Sequence, residues 1–169
     1  MIKKTKYETF VNKAITLGAT EAKIIEARTI ITAAWVRMKC QFGCNGYGSN
    51  LCCPPHTPKP EETRKVIDCY KKAILTHNTN IGSITKIIVN LEREVFLSRY
   101  YKALGFGAGP CDLCKDCSLD QCRHTKKTRP SMESCGIDVY ETARLNGYPI
   151  EVVKDNKCQE NYYGVVLIE

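Results

Sequence analysis

The chain has no long apolar run. Its uninterrupted apolar stretches are short, such as residues 87–89 and 165–168, whereas a membrane-spanning helix needs about 20 apolar residues in a row. Residues 1–6 carry three lysines, but neither an apolar segment nor a small-residue cleavage site follows them. We therefore expect a cytoplasmic protein that is neither exported nor bound to a membrane.

The sequence also lacks the common signatures of catalysis. It contains no glycine-rich nucleotide fingerprint and no nucleophile paired with an evident base. Histidine is scarce, with three residues: His56, His77 and His124. His56 and His124 follow cysteines closely enough to support a metal site, but exposed loop positions explain them as well, and we expect His77 to be a loop residue too. Whether the protein is an enzyme stays open.

Cysteine, in contrast, is abundant, with 11 residues. An odd number fits a complete disulfide framework poorly, and the thiols of a cytoplasmic protein stay reduced. A chain of 169 residues can bury a real core without crosslinks. The cysteines therefore indicate metal or redox chemistry. The formal net charge of +7 fits this interpretation, because thiolate-ligated clusters are anionic and a basic chain offsets them.

The periodic segments predict a mixed α/β fold with a single small sheet and flanking helices. We expect one domain over residues 1–169, with two cysteine-rich metal-binding loops at about 39–59 and 105–135. Long irregular segments inside a compact domain need something to order them, and bound metal would do so.

Individual elements follow from capping signals and apolar spacing. Four helices are predicted. The first runs from a Thr5–Glu8 capping box to Gly18, and the second begins at Pro60 and has an apolar face over residues 66–74. The other two cover residues 91–104 and 137–145. Strands are predicted over residues 22–27, 87–89, 150–153 and 163–168, the last two as an antiparallel pair around Asp155-Asn156.

The second cysteine run has the spacing Cys111-x2-Cys114-x2-Cys117-x4-Cys122. Three cysteines at successive two-residue gaps are typical of ferredoxin loops around an iron–sulfur cube. Ferredoxin runs end in C-x3-C-P, and their last cysteine ligates the other cluster. Here the last gap is one residue longer and Arg123 follows Cys122, so the run is ferredoxin-like in its first three cysteines only.

The first run is Cys40-x3-Cys44-x7-Cys52-Cys53, on a glycine-rich segment. Backbone amides of such a segment can point at cluster sulfurs. A radical S-adenosylmethionine site would need a further cysteine after a gap of two residues beyond Cys44, at position 47, and Tyr47 stands there instead. Neighbouring side chains of an extended segment point apart, so we expect that one of Cys52 and Cys53 does not bind metal.

Eight cysteines make up the predicted ligand set, which suits two [4Fe–4S] clusters: Cys40, Cys44, Cys53, Cys111, Cys114, Cys117, Cys122 and Cys135. Each trio would be completed by Cys122 or Cys135, and ferredoxin logic assigns Cys122 to the first run. Cys135 precedes a predicted helix, whose dipole would favour a thiolate. Cys52, Cys69 and Cys158 are expected to be bystanders.

Zinc is the alternative metal, since structural zinc also binds four cysteines. Zinc sites usually draw them as two pairs, and one loop rarely presents three thiolates to a single tetrahedral ion. The C-x2-C-x2-C triplet therefore favours iron–sulfur clusters over zinc.

Five segments together resemble one prokaryotic family, known only as predicted metal-binding proteins with a domain of unknown function. They are residues 40–48, 53–55, 107–117, 122–123 and 129–139. The resemblance covers most of the chain and implies a metal-binding role for seven of the cysteines above, all except Cys135. It implies no reaction.

A basic cluster accompanies the second run: Lys115, Arg123, His124, Lys126, Lys127 and Arg129. It indicates either a solvated face or a docking surface for an acidic redox partner or an anionic substrate. Nucleic-acid binding is the weaker interpretation, because no aromatic stacking pattern accompanies the charges. The leading functional prediction is electron transfer to or from a redox partner. The alternatives are a cluster-dependent reductase of a small molecule or corrinoid, and a zinc-stabilised interaction module.

Overall fold

Four strands form one antiparallel sheet: β1 (Glu21–Glu26), β2 (Lys72–Asn78), β3 (Leu104–Phe106) and β4 (Tyr162–Leu167). Their order across the sheet is β1-β2-β4-β3. The register pairs Ile25 with Ala73, and Leu167 with both Ala73 and Leu104. The computed structural model describes residues 6–80, 84–148, 150–155 and 157–169.

Five helices accompany the sheet in these ranges: α1 (Glu8–Thr16), α2 (Ala34–Gly43), α3 (Pro60–Ile67), α4 (Ile84–Leu97) and α5 (Val139–Leu145). The predicted mixed α/β fold with a single sheet is thus confirmed. No helix within the described ranges is both long and apolar enough to cross a bilayer.

Two apolar cores lie against the sheet. One joins α1 and α4 to the sheet, with Phe10, Ile88 and Val166 among its buried members. The other joins α3, α5 and residues 132–137 to the sheet through Ile67, Met132, Leu75 and others. Gly164 of β4 lets α4 approach closely, because an added Cβ there would lie only 2.7 Å from Ile88 Cγ1.

Helix α4 corrects two predictions. The segment 87–89, predicted as a buried strand, lies inside α4, and the helix predicted over 91–104 begins at Ile84 and ends at Leu97. The buried residues of α4 recur at helical spacing: Ile84, Ile87, Ile88, Leu91 and Val95. A short β-branched run cannot by itself distinguish a strand from a buried helical face.

Strand β2 corrects a third prediction. The apolar face predicted over residues 66–74 belongs to two elements, because α3 ends at Ile67 and β2 begins at Lys72. Strand β2 pairs on both sides, and six of its seven residues are buried, so it lacks the alternation that marks a half-buried strand. His77, expected in a loop, lies buried on this strand with its ring stacked on Tyr163.

The predicted C-terminal hairpin is wrong. Strand β4 pairs with β2 and β3, and residues 150–153 form no strand. Asn156 of the predicted turn and Thr5 of the predicted capping box lie outside the described residues. The remaining elements are confirmed within one to three residues at their ends: α1 up to Gly18, β1, the start of α3 at Pro60, α5 and β4.

Candidate metal centre

The segment 131–138 connects both cysteine-rich segments to the second core. The amide of Ala33, which precedes α2, donates to the carbonyl of Gly136 at 2.9 Å. The amide of Met132 donates to the carbonyl of Gly107 at 3.0 Å, and Gly107 in turn donates to Pro130 at 2.8 Å. The two ends of the second cysteine-rich loop therefore meet at its base, beside the segment that also holds α2.

Cys40 lies on α2, a helix that the sequence analysis missed. Residues 39–43 were predicted to be irregular, but α2 continues to Gly43. The Cys40 thiol is oriented toward the carbonyl of Glu133, with 3.9 Å between sulfur and oxygen. From residue 44 to residue 59 the backbone runs through turns without a helix or strand. The first segment thus has one cysteine on a helix and three in turns.

Cys40, Cys44 and Cys53 line one cavity of about 210 Å³, which we call the first thiol cavity. Gly46 lies between two of the thiols: a Cβ there would be 3.5 Å from Cys44 Sγ and 3.7 Å from Cys53 Sγ. The Gly46 amide also donates to Cys44 Sγ at 3.4 Å. Gly46 therefore lies within van der Waals range of both sulfurs and directs its N–H group at one of them.

Five thiols line a neighbouring cavity of about 160 Å³, the second thiol cavity: those of Cys52, Cys111, Cys114, Cys117 and Cys122. Residues 108–130, which supply four of them, contain no helix or strand. The backbone amide of His124 donates to Cys122 Sγ at 3.3 Å. Cys122 lines the cavity of its own run, and its assignment to the cluster of the first run stays a prediction.

Arg129 and Glu92 attach this loop to α4. The Arg129 Nε atom donates to Glu92 Oε2 at 2.7 Å, and the same carboxylate oxygen accepts from the Gly105 amide at 2.7 Å. Both side chains are largely shielded from solvent. Arg129 also donates a second hydrogen bond to Glu92, through Nη2. An ion pair that is joined by two hydrogen bonds and shielded from solvent resists separation better than an exposed one. This pair therefore fixes the second loop relative to α4 and the sheet.

Burial is the main electrostatic effect on the thiols. It raises the pKa of Cys52 to about 11, with smaller contributions from Cys111 and Cys122. Burial also raises the pKa of Cys53, the Asn50 hydrogen bond opposes this rise, and the charges of Cys44, Cys111 and Cys117 add to it. The Cys53 thiol is therefore within electrostatic reach of both runs. At neutral pH these thiols are protonated, and a metal must displace the protons to bind.

A family model described as predicted metal-binding protein (DUF2284) matches residues 23–168. The chain belongs to this family. All 11 cysteines lie within the match, whereas α1 precedes it. No curated protein and no solved structure matches the chain. Membership of DUF2284 thus supplies a metal-binding role and no reaction.

Cys135 is buried beside the cavities, and Cys52 contributes to its raised pKa. Its side chain has no solvent exposure and belongs to the second apolar core with Met132 and Ile137. Burial raises its pKa to about 12. Neither thiol cavity is lined by Cys135. The structure therefore brings together seven of the eight predicted ligands, and adds Cys52, which was expected to be a bystander.

The other cysteines and histidines contribute little to the cavities. Cys69 is exposed after α3, and Cys158 lies near Asp155, with 3.6 Å between Sγ and Oδ1. His56 is exposed, while His124 lines the second thiol cavity. Asn50 and Thr128 were missed by the sequence analysis, although both contact cavity thiols. Neither residue type is a common metal ligand, so only the structure could identify them.

Eight thiols of the described ranges line two cavities. No three cysteine, histidine, aspartate or glutamate side chains in the described ranges are arranged to hold one metal ion. A single zinc ion needs four donor atoms at about 2.0–2.3 Å. These eight thiols line cavities instead of converging on one point. An iron–sulfur cube places its iron atoms at separate corners, each taking one thiolate. Thiols that line a cavity supply donors of the kind that either group binds.

Proposed function

We propose that this protein carries two [4Fe–4S] clusters and transfers electrons to or from a redox partner. The observation that supports it is the pair of adjoining thiol cavities, lined together by eight cysteines. A cubane takes four thiolates, so eight thiols match two clusters. We place this activity in the cytoplasm, where thiols stay reduced.

The chain's own groups would hold and tune the clusters. Cys40, Cys44 and Cys53 would ligate the first, with the run from Cys111 to Cys122 at the second. When bound, such clusters accept and release single electrons. Hydrogen bonds to ligand sulfurs make reduction easier, because they offset the added negative charge. Three donors already point at thiols here: the amides of Gly46 and His124 and the side chain of Asn50.

A basic cleft of about 460 Å³ adjoins the second thiol cavity and shares Cys111 with it. It is lined by Lys86 of α4 and by Lys126, Lys127 and Arg129. Arg129 is paired with Glu92, whereas no ion pair involves the three lysines within the described ranges. Unpaired cations beside a redox centre attract acidic surfaces. We propose that an acidic redox protein docks here.

A second cleft gives some support to the alternative, a reductase of a small molecule. It has a volume of about 480 Å³, shares Cys40 and Cys44 with the first thiol cavity, and includes the aromatic side chains of Trp35, Tyr140 and Tyr162. A volume of this size falls within the range of about 300–1,000 Å³ for small-molecule sites. Glu133, whose pKa is raised by burial, lines this cleft, but no histidine in the described ranges lines it to pair with that carboxyl. Electron transfer therefore remains the leading proposal.

Metal analysis of protein purified without oxygen tests the proposal. We expect about eight irons and eight acid-labile sulfides per chain, and an electron paramagnetic resonance signal after reduction with dithionite. One zinc without sulfide would overturn the proposal in favour of a zinc-stabilised interaction module. A reducible cluster whose reoxidation is accelerated only by a small molecule, and by no acidic protein, would favour the reductase.

A further inference from the structure

The thiols of two consecutive residues, Cys52 and Cys53, line different cavities. Cys53 lines the first thiol cavity with Cys40 and Cys44, and Cys52 lines the second with the thiols of the later run. Asn50 fixes this divergence: its Oδ1 accepts from the Cys52 amide at 2.9 Å, and its Nδ2 donates to Cys53 Sγ at 3.3 Å. The two side chains were expected to point apart and one of them therefore not to bind metal. The side chains do point apart, but each of the two thiols lies among other cysteines.

The environment of Cys52 differs from that of a cysteine that only fills a core. Its exposure is 9%, yet it belongs to neither apolar core, whereas Cys135 is a member of one. Its Sγ lies 3.4 Å from Thr128 Oγ1, a hydroxyl that can donate to a thiolate. Cys111 lines the same cavity and contributes to the raised pKa of Cys52. Polar and thiol neighbours are the surroundings of a ligand.

The number of thiols is consistent with the same role. Three line the first cavity and five line the second, whereas two cubanes need four each. Cys111 and Cys117 contribute to the raised pKa of Cys53, and a two-cluster arrangement would take one thiol of the later run to the first centre. The later run would then supply three ligands to the second centre, and Cys52, which lines the same cavity, would be the fourth. Two-cluster ferredoxins exchange ligands between runs in the same way.

We propose that Cys52 is a metal ligand, crossing from the first cysteine segment to the second thiol cavity and taking the place predicted for Cys135. This inference rests on the proposed function, because it concerns the same clusters. It also makes the Cys52–Cys53 peptide a direct covalent link between the two centres.

Substitutions of Cys52 test the assignment, with iron and sulfide as the probes. Cys52→Ala and Cys52→Ser would be reconstituted anaerobically beside the wild type, with Cys135→Ala as the buried control and Cys69→Ser as the exposed control. We expect Cys52→Ala to lose about half of the iron and sulfide, as for one of two cubanes. Cys52→Ser should keep more iron but change the resonance signal, because an oxygen ligand replaces sulfur. Both controls should match the wild type.

Iron, sulfide and resonance signal all unchanged in Cys52→Ala would overturn the assignment. If circular dichroism shows that Cys52→Ala does not fold, the nearly isosteric Cys52→Ser is used in its place. An unchanged resonance signal in Cys52→Ser would then overturn the assignment. Loss of iron in Cys135→Ala but not in Cys52→Ala would return the ligand role to Cys135. Wild-type protein without any iron would instead refute the proposed function, so the two failures are distinguishable.

Discussion

The side-chain nitrogen of Asn50 donates to Cys53 Sγ at 3.3 Å, while its oxygen accepts from the backbone of Cys52 at 2.9 Å. Asn50 is itself only 7% exposed. One amide therefore both orients two consecutive cysteines and places a donor on a sulfur. A hydrogen bond to a thiolate is charge-assisted, and such bonds are about twice as strong as neutral ones.

Asn50→Asp should lower the reduction potential of the cluster that we propose at the first thiol cavity. A carboxylate replaces the donor with a negative charge beside sulfur, so adding an electron becomes less favourable. Asn50→Ala should lower the potential less, since it removes the donor without adding charge. Potentiometric titration measures both, with Asn12→Asp on the exposed side of α1 as control. An unchanged potential in Asn50→Asp would mean that this amide does not reach a cluster ligand.

Cys135→Ala should weaken the fold and leave the metal content unchanged. The thiol is fully buried among apolar side chains, and deletion of one buried group of this size costs roughly 1 kcal/mol of unfolding free energy. Denaturant titration of the metal-free protein measures the loss. Stability equal to that of the wild type would contradict the core role.

Alkaline pH should destabilise the wild type more than Cys135→Ala. The folded pKa of this thiol is about 12, raised by burial from an ordinary value of about 9. A raised folded pKa contributes stability that is fully present below the unfolded pKa and is lost as pH rises through the folded pKa. The window is therefore from about pH 9 to about pH 12. Denaturation midpoints of both proteins at pH 7.5 and pH 10 measure this loss of stability. An equal loss in the wild type and in Cys135→Ala would contradict the role of the Cys135 thiol.

The fold could be predicted where local signals agreed with tertiary structure. Pro60 with its acidic neighbours marks the start of α3, and Gly18, with a φ of 109°, follows the end of α1. The central strand β2 could not be recognised, because a strand covered on both faces has no alternating pattern. The run Ile87-Ile88-Val89 was misassigned because β-branched residues fit a buried helical face as well as a strand.

Cysteine spacing alone located both thiol cavities but not the division of thiols between them. Sequence order groups Cys52 with Cys44 and Cys53. The turn around Asn50 instead places the Cys52 side chain in the same cavity as Cys111. Likewise, the position of Cys135 before a helix favoured a ligand, but packing against Met132 and Ile137 places it in the core. Side-chain direction depends on contacts distant in sequence, and spacing does not encode them.

Charge reversal in the basic cleft should change how fast charged oxidants accept electrons. Lys126→Glu/Lys127→Glu should slow reoxidation of the reduced protein by ferricyanide and accelerate it by hexaammineruthenium(III), because the local potential changes sign. We expect roughly a tenfold effect at low salt that disappears near 1 M salt, where the Debye length is about 3 Å. Stopped-flow absorbance measures the rates.

The matched control for this pair is Lys65→Glu/Lys71→Glu. It carries the same change in charge, but neither lysine lines the basic cleft or a thiol cavity. Equal effects in the two double variants would indicate that net charge alone governs the rates, and would argue against a docking site at Lys126 and Lys127.

Gly107→Ala should loosen the base of the second cysteine-rich loop. An added Cβ would lie 2.4 Å from Thr85 Oγ1 and 3.2 Å from Thr85 Cβ, so the backbone that follows β3 must move away from α4. Overpacking of this kind costs about 1–3 kcal/mol, and here it also strains the hydrogen bonds that join Gly107 to Pro130 and Met132. We expect both lower stability and lower iron content after reconstitution.

A second substitution at Thr85 separates the steric cause from other effects of Gly107→Ala. Thr85→Ala removes the nearest atom, so the double variant should recover part of the lost stability, although Thr85 also loses its 3.3 Å bond to the Ala108 carbonyl. Gly43→Ala is the control, because a Cβ there meets nothing within 4 Å. A double-mutant cycle in denaturant gives the interaction energy. Additive losses would mean that Thr85 is not the obstacle and that Gly107→Ala destabilises the loop base for another reason.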